Sequence, residues 1–176
     1  MGDIGAVDNT TSISNSITLQ TTTVNLSAAI SGESRKSEKV EGASGDDLIA
    51  AGKGRDRLIG GGGADQFYFF GEEQFKKKLV DKILDFDSSE GDAVVIAEGI
   101  IQDLKDEPLL AFASNKKELK RFAKEEFDLL YLEPKGDLYV DGNGDAKGFG
   151  NPSVGGLIAD LPNDTPLTES NVLIGQ

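Results

Sequence analysis

Three aspartates at nine-residue intervals, each following a glycine by two positions, are the residues of this sequence best suited to chemistry. They are Asp47, Asp56 and Asp65, with Gly45, Gly54 and Gly63 before them. A carboxylate is a hard oxygen ligand, and glycine lets the backbone turn tightly enough to bring carbonyl oxygens together. Calcium takes about six to eight such oxygens at flexible angles. The pattern therefore predicts a Ca2+ site made of aspartates and loop carbonyls.

The aspartates belong to three consecutive nine-residue blocks that span Gly42–Tyr68. The blocks read GASGDDLIA, AGKGRDRLI and GGGGADQFY, and the eighth position of each is apolar: Ile49, Leu58 and Phe67. This pattern is typical of a parallel β-helix built from nonapeptides. The preceding block, Glu33–Glu41, has Glu38 and Val40 in the aspartate and apolar positions but no glycine. We interpret it as a degenerate copy that caps the repeats.

The elements that position these residues follow from the repeat. Two nonapeptides make one turn of such a roll, so loops 18 residues apart lie on the same edge, at the strand spacing of about 4.8 Å. One calcium ion would then lie between the loops of Asp47 and Asp65. Asp56 would lie on the opposite edge, with a partner from Glu38 or from residues 81–87. The apolar side chains would stack inside the roll as a narrow core.

Further elements are predicted after the repeats. A strand is expected at Phe67–Phe70, and an amphipathic helix around Asn115–Phe127 with a buried stripe at Leu119, Phe122, Ala123 and Phe127. The segment LLYLEPKGDLYV predicts two strands joined by a Pro-Lys-Gly turn. The predicted fold class is all-β: a short parallel β-roll flanked by antiparallel strands, with one amphipathic helix.

The chain has the length of one structural unit. Residues 1–32 are rich in Ser, Thr and Asn and are expected to form either a flexible leader or short strands. Residues 33–176 are expected to contain the roll and a C-terminal region.

Composition excludes several function classes. The sequence has 31 acidic against 18 basic residues, a formal charge of -13, so we expect no nucleic-acid binding. No stretch approaches the length of a transmembrane helix, so we expect no membrane insertion. It has no Cys and no His, which excludes disulfides, thiolate or imidazole zinc sites and His-dependent triads. Paired carboxylates of the glycosidase type remain the available catalytic chemistry, and no motif locates such a pair. We therefore expect no enzyme, although the acidity alone also fits an ordinary soluble surface.

From Gly42 to Ile174 the chain resembles the RTX (repeats-in-toxin) family, whose members are exported by type I secretion systems. The join GGGGADQFYF, followed by DKILDF and EGDAVVIA, is similar to the end of the β-roll in serralysin-type C-terminal regions. This resemblance implies that Asp81 and Asp85 are ligands of the last calcium ion.

The resemblance also implies a secreted protein, extracellular or on the cell surface, with an uncleaved export signal at its C-terminus. The N-terminus shows no Sec-type signal pattern. Removal of Asp164–Gln176 is expected to abolish export and to leave calcium binding intact. The expected partners are calcium ions, the type I exporter and a cell-surface or matrix partner. A structural or adhesive surface protein is the alternative function.

One motif lies outside the repeats. The stretch Asp141-Gly142-Asn143-Gly144-Asp145 begins like an EF-hand loop, but Ala146 and Pro152 occupy positions where that loop needs Gly and Glu. We interpret it as a tight loop, with a minor calcium contact as the alternative.

Overall fold

A computed structural model describes residues 18–19, 22–23, 28–31, 36–70, 75, 78–100, 108–144, 146–150 and 154–175. Within these ranges the first nine strands are β1 Thr18–Leu19, β2 Thr22–Thr23, β3 Ala28–Ser31, β4 Lys39–Glu41, β5 Asp47–Ala51, β6 Arg57–Ile59, β7 Gln66–Phe69, β8 Asp81–Ile83 and β9 Ala93–Ala97. The later elements are β10 Leu110–Ala113, helix α1 Lys116–Phe122, β11 Leu129–Leu132, β12 Asp137–Val140, β13 Gly156–Asp160 and β14 Val172–Gly175.

The first half of the chain winds into a parallel roll. From β3 to β9 the chain alternates between a five-stranded sheet, in the order β14-β9-β7-β5-β3, and a seven-stranded sheet, in the order β10-β11-β12-β13-β8-β6-β4. Strand β5 pairs in parallel with β7, which begins about two nonapeptides later, and β4 pairs in the same way with β6. The predicted winding of two nonapeptides per turn is therefore confirmed, and Val40 of the degenerate block lies opposite Leu58.

The eighth-position side chains form the core of the roll. Ile49, Leu58 and Phe67 are fully buried, and Ile83 and Val94 continue the same interior after the repeats. Burial of each such side chain stabilises the fold by about 1.5–3 kcal/mol. The nine-residue period thus fixes the core and the loops at the same time.

The C-terminal strands extend both sheets of the roll. Strands β11 and β12 are antiparallel and are joined by a 3-10 turn, Glu133–Lys135, that ends at Gly136 with φ of +68°. Strand β13 pairs antiparallel with β12 and parallel with β8. Strand β14 pairs in parallel with β9, so the last strand of the chain joins the roll. These elements confirm the predicted fold class, with one helix among the described residues.

Helix α1 covers β10 and β11. It begins after Asn115, whose side-chain oxygen accepts the N–H groups of Lys117 and Glu118. It ends at Phe122 rather than near Phe127, because the N–H groups of Lys124 and Glu125 bond to carbonyls three residues back and tighten the chain into a turn. Of the predicted stripe, Leu119 and Ala123 are buried. Phe122 and Phe127 are partly buried and pack edge to face.

Three described strands lie in the predicted N-terminal segment. Strands β1 and β2 form an antiparallel pair, while β3 pairs in parallel with β5 and so adds a strand to the roll. The other apolar residues of that segment lie outside the described ranges, and the division at residue 32 stays a prediction. No described helix combines the length and apolar character needed to cross a membrane.

Candidate calcium-binding edges of the roll

The roll has two edges where the chain passes between its sheets. Residues 42–46, 60–65 and 84–92 lead from the seven-stranded to the five-stranded sheet, and we call this side the Asp47 edge. Residues 52–56 and the segments before β4 and β8 lead back, and we call that side the Asp56 edge. Asp47 and Asp65 lie on the first edge, whereas Asp56 and Asp81 lie on the second.

The fourth-position glycines share one backbone conformation. Gly45, Gly54 and Gly63 have φ of +116°, +135° and +125°, a region that residues with a Cβ atom rarely adopt. A Cβ atom on Gly63 would lie 2.6 Å from the carbonyl carbon of Gly45, so successive loops touch backbone to backbone. The N–H of Gly62 donates to the carbonyl of Ala43 at 3.2 Å across the same contact. Glycine is therefore required for both the turn and the close approach.

The aspartates of the Asp47 edge form a hydrogen-bonded ladder. The N–H of Asp47 donates to Oδ1 of Asp65, and the N–H of Asp65 donates to Oδ1 of Asp92, each at 2.9 Å. Oδ2 of Asp47 accepts the N–H of Ala43 at 2.7 Å. Oδ1 of Asp47 is buried and has no hydrogen-bond donor among the described residues. We call such an atom an open oxygen.

The Asp56 edge repeats this arrangement. Oδ1 of Asp56 accepts the N–H of Glu38 at 2.9 Å, and the N–H of Asp56 donates to Oδ1 of Asp81 at 2.6 Å. Oδ2 of Asp56 and Oδ2 of Asp81 are open oxygens. Both candidate partners of Asp56, Glu38 and Asp81, thus lie beside it on successive turns of the roll.

Asp81 and Asp85, grouped by the resemblance, lie on opposite edges. They flank β8, and four residues of strand span about 13 Å. Asp85 accepts the N–H groups of Gly60 and Gly61 at 2.9 Å each, so its carboxylate fixes a loop of the Asp47 edge. The structure therefore does not bring these two carboxylates to one site.

The sequence analysis did not identify two acidic residues of the Asp47 edge, Asp46 and Asp92. Asp92 is 3% exposed and accepts the N–H groups of Asp65 and Asp87 at 2.9 and 2.8 Å. Asp46 accepts the N–H of Ala64 at 2.9 Å. A signal for Asp92 does exist, because Asp92-Ala93-Val94 repeats the aspartate-x-apolar triad of each nonapeptide.

Burial makes these carboxylates costly to ionise. It raises the pKa of Asp81 to about 7 and that of Asp92 to about 6. It also raises the pKa of Asp56 and of Asp65, and neighbouring carboxylates add to the shift in each case. A buried charge with an open oxygen is unfavourable unless a counter-charge or a donor reaches it. A cation would supply what these sites lack.

The donor set fits calcium. Among the described residues, no three Asp, Glu, His or Cys side chains converge on one point, so carboxylates alone would not complete a metal site. Loop carbonyls would have to supply the other ligands, and the glycines bring those carbonyls close. Mixed carboxylate and carbonyl oxygens at irregular angles are the ligands that calcium accepts.

Residues 41–69 match the model of the RTX calcium-binding nonapeptide repeat (4 copies). The matched segment contains β5, β6 and β7 with the loops of the first and second turns. The chain therefore carries an RTX repeat, and repeats of this kind bind Ca2+. Searches of curated proteins and of solved structures found no match.

Two adjacent glycines provide a matched test of loop geometry. Gly63→Ala should lower the unfolding free energy of the calcium-loaded protein by about 1–3 kcal/mol, since it forces a strained φ and a contact with Gly45. Gly62→Ala should be close to neutral, because a Cβ atom there meets nothing within 4 Å. Chemical denaturation of both variants measures the difference. Equal losses would contradict the packed-loop geometry.

Charge-neutral variants of the aspartates test the assignment of edges. Asn keeps the oxygen that accepts the backbone N–H and removes the charge, so Asp47→Asn and Asp65→Asn should each lower calcium affinity about tenfold or more, or about 1.4 kcal/mol. The double variant should lose less than the sum, because two ligands of one ion cannot lose it twice. Asp56→Asn should add independently to either.

Calorimetric calcium titrations of these variants give the coupling energies. If the affinity losses of Asp47→Asn and Asp65→Asn were additive, while those of Asp47→Asn and Asp56→Asn were coupled, the shared ion would lie elsewhere and the edge assignment would be refuted.

Proposed function

We propose that this chain is a secreted RTX-type protein whose roll folds on binding calcium outside the cell, after export by a type I system. The observation that carries the proposal is the set of open oxygens on Asp47, Asp56 and Asp81, each beside a glycine loop of the roll. Calcium is the partner that these oxygens lack. The proposal assigns no catalytic reaction to the chain.

Calcium concentration would act as the switch. An ion that binds only the folded state stabilises it by RT ln(1 + [L]/Kd), about 1.4 kcal/mol per site at ten times Kd. Extracellular modules commonly bind calcium with a Kd of about 0.1–1 mM. In the low calcium of a cytosol, the buried carboxylates and a net charge of -13 oppose folding. An unfolded chain is the form that a narrow exporter requires.

The C-terminal strand connects export with folding. Val172 of β14 is buried, and Nδ2 of Asn171 donates to the carbonyl of Asp92 at 2.9 Å. An export signal within residues 164–176 would thus be accessible only before the roll forms. Since β14 pairs with β9, removal of this segment should also weaken the roll, which differs from the expectation that calcium binding would survive intact.

Selectivity for calcium over magnesium is the first test. Millimolar calcium should raise the β-structure signal in circular dichroism and the melting temperature, and a chelator should reverse both. Magnesium at the same concentration should do much less, because it demands octahedral geometry at about 2.0–2.1 Å, which glycine loops do not supply. A melting temperature that changes with neither calcium nor the chelator would refute calcium-dependent folding.

Export is the second test. Deletion of Asp164–Gln176 should abolish secretion by a type I system. Asn171→Ala is the matched control, since it keeps the terminal apolar run but leaves the carbonyl of Asp92 without its buried donor. This variant should be secreted and should lose about 1–3 kcal/mol of stability in calcium. Normal secretion of the deletion variant would refute the assignment of the export signal to residues 164–176. It would not bear on the proposal that the roll binds calcium.

A further inference from the structure

The loop that follows β12 contains a second set of open oxygens, none of which belongs to a nonapeptide loop. Asp141 is 5% exposed, and its Oδ1 accepts the N–H of Asn143 at 3.2 Å. Oδ2 of Asp141 and Oδ1 of Asn143 are both open oxygens. Buried side-chain oxygens without a partner are rare in folded proteins, and here two come from residues two positions apart. The missing partner of these oxygens must donate a hydrogen bond or carry positive charge.

The local charges favour a cation. Asp128 acts on Asp141 with a charge of the same sign, and the N–H of Asp141 donates to the carbonyl of Asp128 at 2.8 Å. No ion pair between described residues includes Asp141. A buried carboxylate next to another carboxylate, without a basic partner, is strongly unfavourable in the absence of an ion.

Backbone carbonyls crowd the same loop. A Cβ atom on Gly142 would lie 2.0 Å from the carbonyl oxygen of Val154. One on Gly155 would lie 1.9 Å from the carbonyl oxygen of Phe149 and 2.9 Å from that of Val140. The glycines thus allow a close approach of several hard oxygens, as they do in the nonapeptide loops. A carboxylate, an amide oxygen and carbonyls form a donor set for calcium rather than for a thiophilic metal.

We propose that Asp141 and Asn143 bind a calcium ion in the loop after β12, at a site separate from the nonapeptide repeats. This site goes beyond the proposed function, because it uses no residue of either roll edge. The ion would order the connection between β12 and β13. Since β13 pairs with β8, it would stabilise the junction between the antiparallel strands and the roll.

The test compares three variants by calcium calorimetry and by native mass spectrometry, with Ca2+ as the probe. Asp141→Asn and Asn143→Ala should each lose one bound ion, or lower its affinity at least tenfold, while the other ions stay bound. Asp137→Asn is the matched control: it makes the same charge change on β12, and its amide oxygen can still accept the hydroxyl of Tyr139. This variant should bind as many ions as the wild-type protein.

Stability measurements separate a ligand from a merely structural residue. In chelator, Asp141→Asn should be at least as stable as the wild-type protein, because it removes a buried charge. In saturating calcium the order should reverse. Loss of stability in both conditions, an ion count and affinities that are both unchanged, or loss of every ion by both Asp141→Asn and Asn143→Ala would each overturn the separate site. Failure of the roll to bind calcium would appear instead as insensitivity to Asp47→Asn, with the effect of Asp141→Asn retained.

Discussion

The burial of aspartates along the edges of the roll is the constraint on which the rest of the structure depends. Four aspartates of the two ladders each accept a backbone N–H from the neighbouring turn, which sets the spacing between turns; they are Asp56, Asp65, Asp81 and Asp92. Asp47 and Asp56 each keep an open oxygen as well. Burial and neighbouring carboxylates make the ionised form of this arrangement costly. A divalent cation between the loops removes that cost, so metal binding and folding become one process.

The other features of the roll follow from this constraint. Successive loops can share an ion only if their backbones touch, and the positive φ values of Gly45, Gly54 and Gly63 allow that contact. The eighth position of each nonapeptide directs one side chain inward, so a turn of two nonapeptides contributes two such side chains to the core. The core is therefore narrow, and the last turn would expose unpaired strand edges. Strands β13 and β14 pair with β8 and β9 and cover them.

The sequence was most informative in the nonapeptides, because one nine-residue period sets both the positions of the aspartates and those of the buried side chains. The positions of Asp47, Asp56 and Asp65, the winding and the buried Ile49 and Phe67 could all be predicted, because a nine-residue repeat leaves little geometric choice. Prediction failed where the period breaks. Asp81 follows Asp65 by 16 residues and Asp92 follows Asp81 by 11, so the nine-residue period does not lead to Asp92.

Strand pairing between distant parts of the chain accounts for other features that the sequence did not predict. Nothing local in the sequence indicates that β14 would pair with β9, since the two strands lie far apart in the chain and the contact depends on the whole roll. That Asp81 and Asp85 lie on opposite edges could be predicted only with the knowledge that strand β8 lies between them. The early end of α1 reflects local competition between α-helical and 3-10 hydrogen bonds, which residue types resolve poorly.

The central claim is that calcium binds the open oxygens of the ladder, and anomalous scattering from crystals grown in saturating calcium tests it most directly. The account predicts an anomalous peak between residues 42–46 and 60–65, about 2.3–2.6 Å from Oδ1 of Asp47. A well-ordered roll in which that oxygen binds only water or a protein donor would contradict it.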